Sequence, residues 1–153
     1  MKNLLRFFMI LILVAVIMLP GTVASAKATR IDFTNTEICD EDFTFTREWW
    51  SGPNYHMAGI TQTCHDTSEF AFAAGTVYLT DGELNCVAHT CNMTGWSRFE
   101  TDEGGVWVGR WSLSTGVFEY RAHGEGIYEG QQFFVMENFH SRLQEKYILI
   151  PGG

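Results

Sequence analysis

Apolar and polar side chains alternate with a period of two through most of the chain after residue 26. Phe118 and Tyr120, for example, share one face of such a segment, and Glu119 and Arg121 share the other. This alternation is typical of a β-strand with one buried face. It recurs in segments 43–49, 69–72, 75–80, 107–113, 133–139 and 147–150. Because no apolar period of 3.6 residues is sustained there, the sequence predicts an all-β protein.

Turn-forming residues separate these strand segments at short intervals. Glycine, proline, serine, threonine and acidic residues supply turn signals at positions 51–53, 81–82, 94–95, 103–105, 115–116 and 151–153. Short connections favour antiparallel neighbours, and closure into a barrel leaves no unpaired strand edge. We therefore expect a small antiparallel β-barrel of eight or nine strands, with a β-sandwich as the alternative. Eight strands leave an interior wide enough for side chains or one small ligand.

Residues 1–26 have the pattern of a secretory signal peptide. Lys2 and Arg6 precede a 13-residue apolar run at 7–19, and the Ala-Ser-Ala sequence at 24–26 is a small-x-small cleavage signature. The apolar run is shorter than the roughly 20 residues that cross a bilayer. An uncleaved membrane anchor is the alternative. We predict cleavage before Lys27, one domain over 27–153, a secreted protein (extracellular or periplasmic), and no membrane attachment in the mature form.

Four cysteines follow the predicted cleavage site: Cys39, Cys64, Cys86 and Cys91. An even number in an oxidising compartment predicts two disulfides, for which three pairings are possible. We favour Cys86–Cys91, which closes a short loop between two strands, and Cys39–Cys64, which ties the N-terminal segment to a later strand. The alternative is a zinc site at Cys86, His89 and Cys91. It lacks a fourth ligand at ordinary spacing, so we expect no metal.

The charge balance excludes some partners. The chain has 18 acidic residues, 10 Lys and Arg, and a formal net charge of −8. Nucleic-acid binding depends largely on basic groups that neutralise phosphates, so we expect no nucleic-acid partner. No phosphate-binding loop, dinucleotide fingerprint or Gly-x-Ser-x-Gly motif is present, so we expect no cofactor. Asn92 begins a glycosylation sequon, whose use depends on the host.

Aromatic residues supply the candidate ligand-binding surface. Trp107 and Trp111 share one face of a strand, and the turn at 114–116 places Phe118 and Tyr120 on the next strand. These four rings could line an apolar cavity inside the barrel. The alternatives are that they are packed core or lie between subunits.

Arg47 and Glu137 are the candidate polar groups of this surface. Arg47 lies on the face of Phe43, Phe45 and Trp49, so it is a buried cation if that face is interior. A buried cation requires a carboxylate or a ligand. Glu137, on the apolar face of segment 133–139, is the expected partner. The alternative is that both faces point outward near the rim.

Residues 123–130 read His-Gly-Glu-Gly-Ile-Tyr-Glu-Gly. Gly124 and Gly126 permit positive φ or close backbone approach, Tyr128 can tuck its ring under a barrel end, and Gly130 frees the chain to re-enter the sheet. The segment resembles the G-x-G-x-[FY]-E-G turn of the allene oxide cyclase barrel superfamily, which includes the plant dirigent proteins. The G-x-W-x-G-x-W strand at 105–111 is similar to that of small secreted bacterial proteins of this type.

The resemblance spans residues 105–150 and implies an eight-stranded antiparallel barrel with an apolar lumen, often assembled as trimers. Allene oxide cyclases fold and cyclise a fatty-acid epoxide, and dirigent proteins steer phenolic intermediates. The early strands do not align well enough to transfer any catalytic residue. We therefore expect a secreted barrel that binds a small apolar or phenolic ligand, and any catalysis would be that of a cofactor-free cyclase or isomerase. The alternatives are a subunit of an extracellular assembly and a carbohydrate-binding module.

Overall fold

The computed structural model describes residues 27–41 and 43–152, so the predicted signal peptide lies outside the described residues. The described chain forms ten β-strands and two one-turn 3-10 helices, at Ala71–Ala73 and Gly126–Tyr128. The strands are β1 (Thr29–Asp32), β2 (Thr36–Cys39), β3 (Arg47–Ser51), β4 (Asn54–Thr67), β5 (Gly75–Val87), β6 (Thr90–Thr101), β7 (Val106–Ser114), β8 (Val117–Glu125), β9 (Gln132–Asn138) and β10 (Leu143–Ile150).

All the strands belong to one curled antiparallel sheet, which confirms the predicted all-β class. Their order is β1-β10-β9-β8-β7-β6-β5-β4-β2, and β3 pairs with another part of β4. From β4 to β10 each strand pairs with its successor, because short connections favour hairpin neighbours. Nine strands make up the continuous path of this sheet, in agreement with the predicted eight or nine, and β3 is a further short strand that pairs only with β4.

The N-terminal segment connects the two edges of the sheet. β1 pairs with β10, β2 pairs with β4, and only three residues separate β1 from β2. Within that link the Phe33 amide donates to the Lys146 carbonyl (3.0 Å), and the Ser68 hydroxyl donates to the Thr34 carbonyl (2.5 Å). One short segment thus holds both edges, which gives the sheet a barrel-like form with an enclosed concave face.

One end of the interior is filled by an aromatic layer. Phe99, Trp107, Tyr128 and Phe133 are all buried, and the Trp107 ring stacks on Tyr128 with centroids 4.4 Å apart. Trp107 Nε1 donates to the Phe72 carbonyl at 2.9 Å. Stacking and a satisfied indole N–H make this end a packed core. We call it the capped end.

The glycine-rich segment between β8 and β9 builds part of the capped end. Gly126 begins the one-turn helix with φ +67°, and Gly130 follows it with φ +80°. A Cβ on Gly124 would lie 2.1 Å from the Tyr128 carbonyl oxygen, so that residue must lack a side chain for Tyr128 to pack. The structure thus has Gly124, Gly126, Tyr128 and Gly130 in one turn at this end.

Two disulfides join neighbouring strands, and both predicted pairings are confirmed. Cys39–Cys64 links β2 to β4, and Cys86–Cys91 closes the β5–β6 hairpin. Each pair stands directly opposite in the strand register. The two bonds are consistent with an oxidising extracellular or periplasmic compartment. Among the described residues no helix has the length and apolarity that a membrane crossing requires.

Candidate functional site

Two adjoining cavities occupy the interior beside the capped end, and Phe99 and Phe133 of that end also line the inner cavity. The outer cavity has a volume of about 230 Å³, and the inner cavity has a volume of about 40 Å³. Leu79, Trp111, Phe118 and Glu37 line both cavities. The remaining apolar wall of the outer cavity comes from Phe43, Ile60, Met93, Leu113 and the Cys39 disulfide.

Strand pairing places the aromatic rings of these walls. Trp111 stands opposite Tyr120 on β8 and opposite Gly95 on β6. A Cβ on Gly95 would lie 2.7 Å from the Trp111 ring, so the glycine makes room for the indole. Trp111 Nε1 donates to the Trp96 carbonyl at 3.1 Å. The indole is therefore fixed in orientation and presents its apolar surface to the cavities.

The inner cavity is lined by polar groups from six strands and the β1–β2 link. Glu137 on β9 and Lys146 on β10 form an ion pair, with side chains 20% and 10% exposed. Lys146 Nζ also donates to Asn35 Oδ1 at 2.8 Å. The ammonium of Lys146 is thus already engaged with two partners of its own. Glu37, Asp66, Ser97 and Tyr120 complete the polar lining.

Three of these polar atoms have no hydrogen-bond partner within residues 27–41 and 43–152. They are Asp66 Oδ1, Ser97 Oγ and Tyr120 Oη. The residues are 8%, 3% and 6% exposed, respectively. A buried polar group without a partner costs about 1–3 kcal/mol. Three such atoms around one cavity indicate a site that a bound molecule or water would complete.

Burial and charge both shift protonation in this cavity. Burial, reinforced by the nearby Glu37 carboxylate, raises the pKa of Asp66 to about 7, although the nearby Asn35 side chain and the charge of Lys146 act against the rise. Glu37 is an exposed residue that lines both cavities, and desolvation of its carboxyl there, with repulsion from Glu137, raises its pKa as well. These two carboxyls come from residues directly opposite each other on paired strands.

Burial also raises the pKa of the Tyr120 phenol, so this hydroxyl is neutral at physiological pH. The nearby Ser97 hydroxyl opposes part of that rise, although the two hydroxyls do not reach normal hydrogen-bond geometry. Both hydroxyls therefore keep a donor and acceptor capacity directed to the cavity.

The structure brings together four of the six residues that the sequence predicts at the ligand site. Trp111, Phe118, Tyr120 and Glu137 line the inner cavity. Trp107 does not line either cavity. It is fully buried in the capped end, four residues along β7 from Trp111, and matches the packed-core alternative.

The expected pairing of Arg47 with Glu137 is wrong. Arg47 begins β3, is exposed, and lies with its guanidinium carbon 4.2 Å from the centroid of the Trp49 ring. Glu137 pairs instead with Lys146. The alternation of segment 43–49 defines two faces but does not say which is interior. β3 pairs only with residues 54–58 at the start of β4.

The sequence interpretation missed Glu37, Asp66, Ser97 and Lys146. Two of them had a usable signal. Cys39 and Cys64 are joined, so they share one face, and Glu37 and Asp66 lie two residues from them on the same strands. The period of two therefore places both carboxyls on the side of the buried Cys64. Ser97 and Lys146 carried no comparable signal.

One grouping of potential metal ligands occurs in the part of the chain that the structure describes: Glu37, Cys39 and Cys64. Both sulfurs of this grouping are held in the disulfide and are not available as thiolate ligands. The grouping therefore does not fit a metal ion.

No protein-family model, curated protein or solved structure matches this chain. The likeness of segment 105–150 to the allene oxide cyclase barrels stays a prediction.

Proposed function

We propose that this protein is a secreted binding protein for a small molecule with an apolar or aromatic body. The observation that carries the proposal is the pair of adjoining cavities, one with apolar walls and the other with unpartnered polar atoms. The signal-peptide pattern and the two disulfides support secretion.

The outer cavity suits the body of such a ligand. An apolar cavity of about 150 Å³ takes up a molecule of the size of benzene. The outer cavity, at about 230 Å³, is larger and has Trp111 and Phe118 as aromatic walls. A flat ring entering it removes apolar surface from water, worth roughly 25 cal/mol per Å² of that surface.

The proposal is tested by titration with the neutral fluorescent probe N-phenyl-1-naphthylamine. Phe118→Ala removes a cavity wall, and Met93→Trp fills the outer cavity, so both should weaken probe binding, by about tenfold for a lost aromatic wall. Phe134→Ala is the matched control, because Phe134 packs against Tyr147 and Arg121 and lines neither cavity. Equal affinity in all four proteins, or no probe binding by the unaltered protein, would contradict the proposal. Near-ultraviolet circular dichroism verifies the fold of each variant.

A second candidate function is self-association into an extracellular assembly. Its support is a run of exposed apolar side chains on one segment, Ile38, Phe43, Phe45 and Trp50, of which Trp50 is 69% exposed. Such exposure is typical of contact surfaces. Sedimentation velocity should then detect trimers or larger species that Trp50→Ser converts to monomers. A monomer at every concentration would rule this candidate out.

A further inference from the structure

We propose that the ligand carries a small ammonium group, held in the inner cavity between the carboxyls of Asp66 and Glu37. This inference rests on the proposed function, since it names the polar end of the molecule whose body occupies the outer cavity. It follows from the unpartnered atoms, the charge balance and the size of the inner cavity.

The unpartnered atoms fit a donor group. Asp66 Oδ1 is an acceptor when ionised, and Ser97 Oγ and Tyr120 Oη can each accept. A primary ammonium brings three N–H donors to such a set. A carboxylate or phosphate brings acceptors alone, and would have to lie beside three carboxyls.

The charge balance favours a cation. Three carboxyls, from Glu37, Asp66 and Glu137, line the inner cavity, against the single ammonium of Lys146. Lys146 is occupied by Glu137 and Asn35, so Glu37 and Asp66 have no cation of their own in the described cavity lining. Like charges directly opposite on paired strands destabilise a sheet. A cation between them offsets that repulsion and the cost of burying the two carboxylates. Burial is also the main reason why both carboxyls have raised pKa values without a ligand, with repulsion from Glu37 adding to the rise for Asp66 and repulsion from Glu137 adding to the rise for Glu37.

The size of the inner cavity limits the cation. A cavity of about 40 Å³ has room for about three water-sized groups, since each needs at least 10–15 Å³ in this measure. A primary ammonium on a short alkyl arm fits that space, whereas a trimethylammonium group does not. Trp111, Phe118 and Leu79 line both cavities, so they would contact the arm where it passes to the ring.

Competition against N-phenyl-1-naphthylamine tests the inference with molecules that share an indole body. They are tryptamine, tryptophol, indole-3-propionate and N,N,N-trimethyltryptammonium, which differ in the polar end. At pH 8 Asp66 is largely ionised and an alkyl ammonium remains charged. Tryptamine should displace the probe at about tenfold lower concentration than tryptophol, because a hydrogen bond to a charged group is the stronger one. Indole-3-propionate and the trimethyl compound should be the weakest.

Two variants separate the head group from the body. Asp66→Asn should reduce the preference for tryptamine over tryptophol to about twofold or less, and this ratio of two competitors does not depend on the affinity of the variant for the probe. Asp32→Asn is the matched control, because it removes the same charge from the exposed outer side of β1 and should leave the preference intact.

The outcomes distinguish failure of this inference from failure of the proposed function. Probe binding with equal competition by all four compounds, or with indole-3-propionate as the best, overturns the ammonium site and leaves ligand binding intact. Absence of probe binding overturns both.

A metal ion is the alternative occupant of the site, and calorimetric titration with calcium chloride or zinc chloride alone tests it. The site would be assigned to a metal ion instead if the ion binds saturably, if Asp66→Asn abolishes that binding, and if the bound ion removes the preference for tryptamine over tryptophol.

Discussion

Trp107 with Tyr128, and Trp111 with Tyr120, are two tryptophan–tyrosine pairs inside the same sheet, and they differ in how their polar atoms are satisfied. In the capped end Trp107 stacks on Tyr128, whose hydroxyl donates to Glu103 and lies 3.0 Å from Thr101 Oγ1. At the cavities Trp111 is fixed by one hydrogen bond, but the Tyr120 hydroxyl is left without a partner among the described residues. The same residue types thus build a closed core at one end and an incomplete site four residues away.

Both indole N–H groups donate to a carbonyl, so the difference between the two pairs lies in the tyrosine hydroxyls, which are complete in the packed pair and incomplete in the pair at the cavities. Burial does not distinguish the two pairs, because Trp107, Trp111, Tyr120 and Tyr128 are all buried. Packing at the capped end should therefore control stability, and the cavity walls should control binding.

The largest expected effect comes from the capped end. Trp107→Ala removes a fully buried indole, its stacking on Tyr128 and its bond to Phe72, and should cost about 3–5 kcal/mol of unfolding free energy. Phe118→Ala, at the partly open cavity wall, should cost about 1–2 kcal/mol. Guanidinium denaturation measures both. A larger loss for Phe118→Ala would break the distinction between the two regions.

A smaller effect on the unfolding free energy is expected from removing a single hydroxyl oxygen from Tyr128 or from Tyr120. Tyr128→Phe removes a hydroxyl with two partners and should cost about 1–2 kcal/mol. Tyr120→Phe removes an unpartnered hydroxyl and should be neutral or slightly stabilising, by less than about 1 kcal/mol. Urea denaturation of the two variants, without ligand, decides between these outcomes. Equal losses would show that Tyr120 has a partner after all.

The third expected effect is the dependence of stability on pH. The pKa of Asp66 is raised to about 7 in the folded protein, so the folded state binds more protons than the unfolded state between pH about 4 and about 7. The contribution of this residue to stability should therefore fall as the pH rises through that range. Unfolding free energies of the protein and of Asp66→Asn, measured from pH 4 to pH 8, should converge at low pH and differ most at high pH, where the neutral amide of the variant avoids the buried charge. A constant difference would contradict the raised pKa.

Much of the fold could be predicted from local pattern. Alternating apolar residues and turn residues predict an antiparallel sheet. The even number of cysteines and their spacing favour the observed disulfides, Cys39–Cys64 and Cys86–Cys91. Both features depend on residues that are close in sequence or on covalent chemistry with few alternatives.

The site is less accessible to such reasoning. The two-residue alternation places Trp107 and Trp111 on the same face of a strand. It does not give their depth along the barrel axis, which decides whether each ring lies in the core or at a cavity. It also does not distinguish the inside of an edge segment from the outside, which is why the prediction for Arg47 is wrong. The inner cavity joins Glu37, Asp66 and Lys146 from distant parts of the chain, and only the closing of the sheet by β1 and β2 brings them together.

The measurement that tests the central claim most directly is methionine-methyl nuclear magnetic resonance during titration with N-phenyl-1-naphthylamine. Met93 lines the outer cavity, whereas Met136 stands opposite Glu119 on β8 and lines neither cavity. One spectrum therefore contains both the reporting methyl signal, from Met93, and its control, from Met136. The account predicts a saturable shift of the Met93 methyl signal, from the ring current of the bound probe, and a stationary Met136 signal. An unshifted Met93, or a Met136 that moves as far as Met93, would contradict binding inside the barrel.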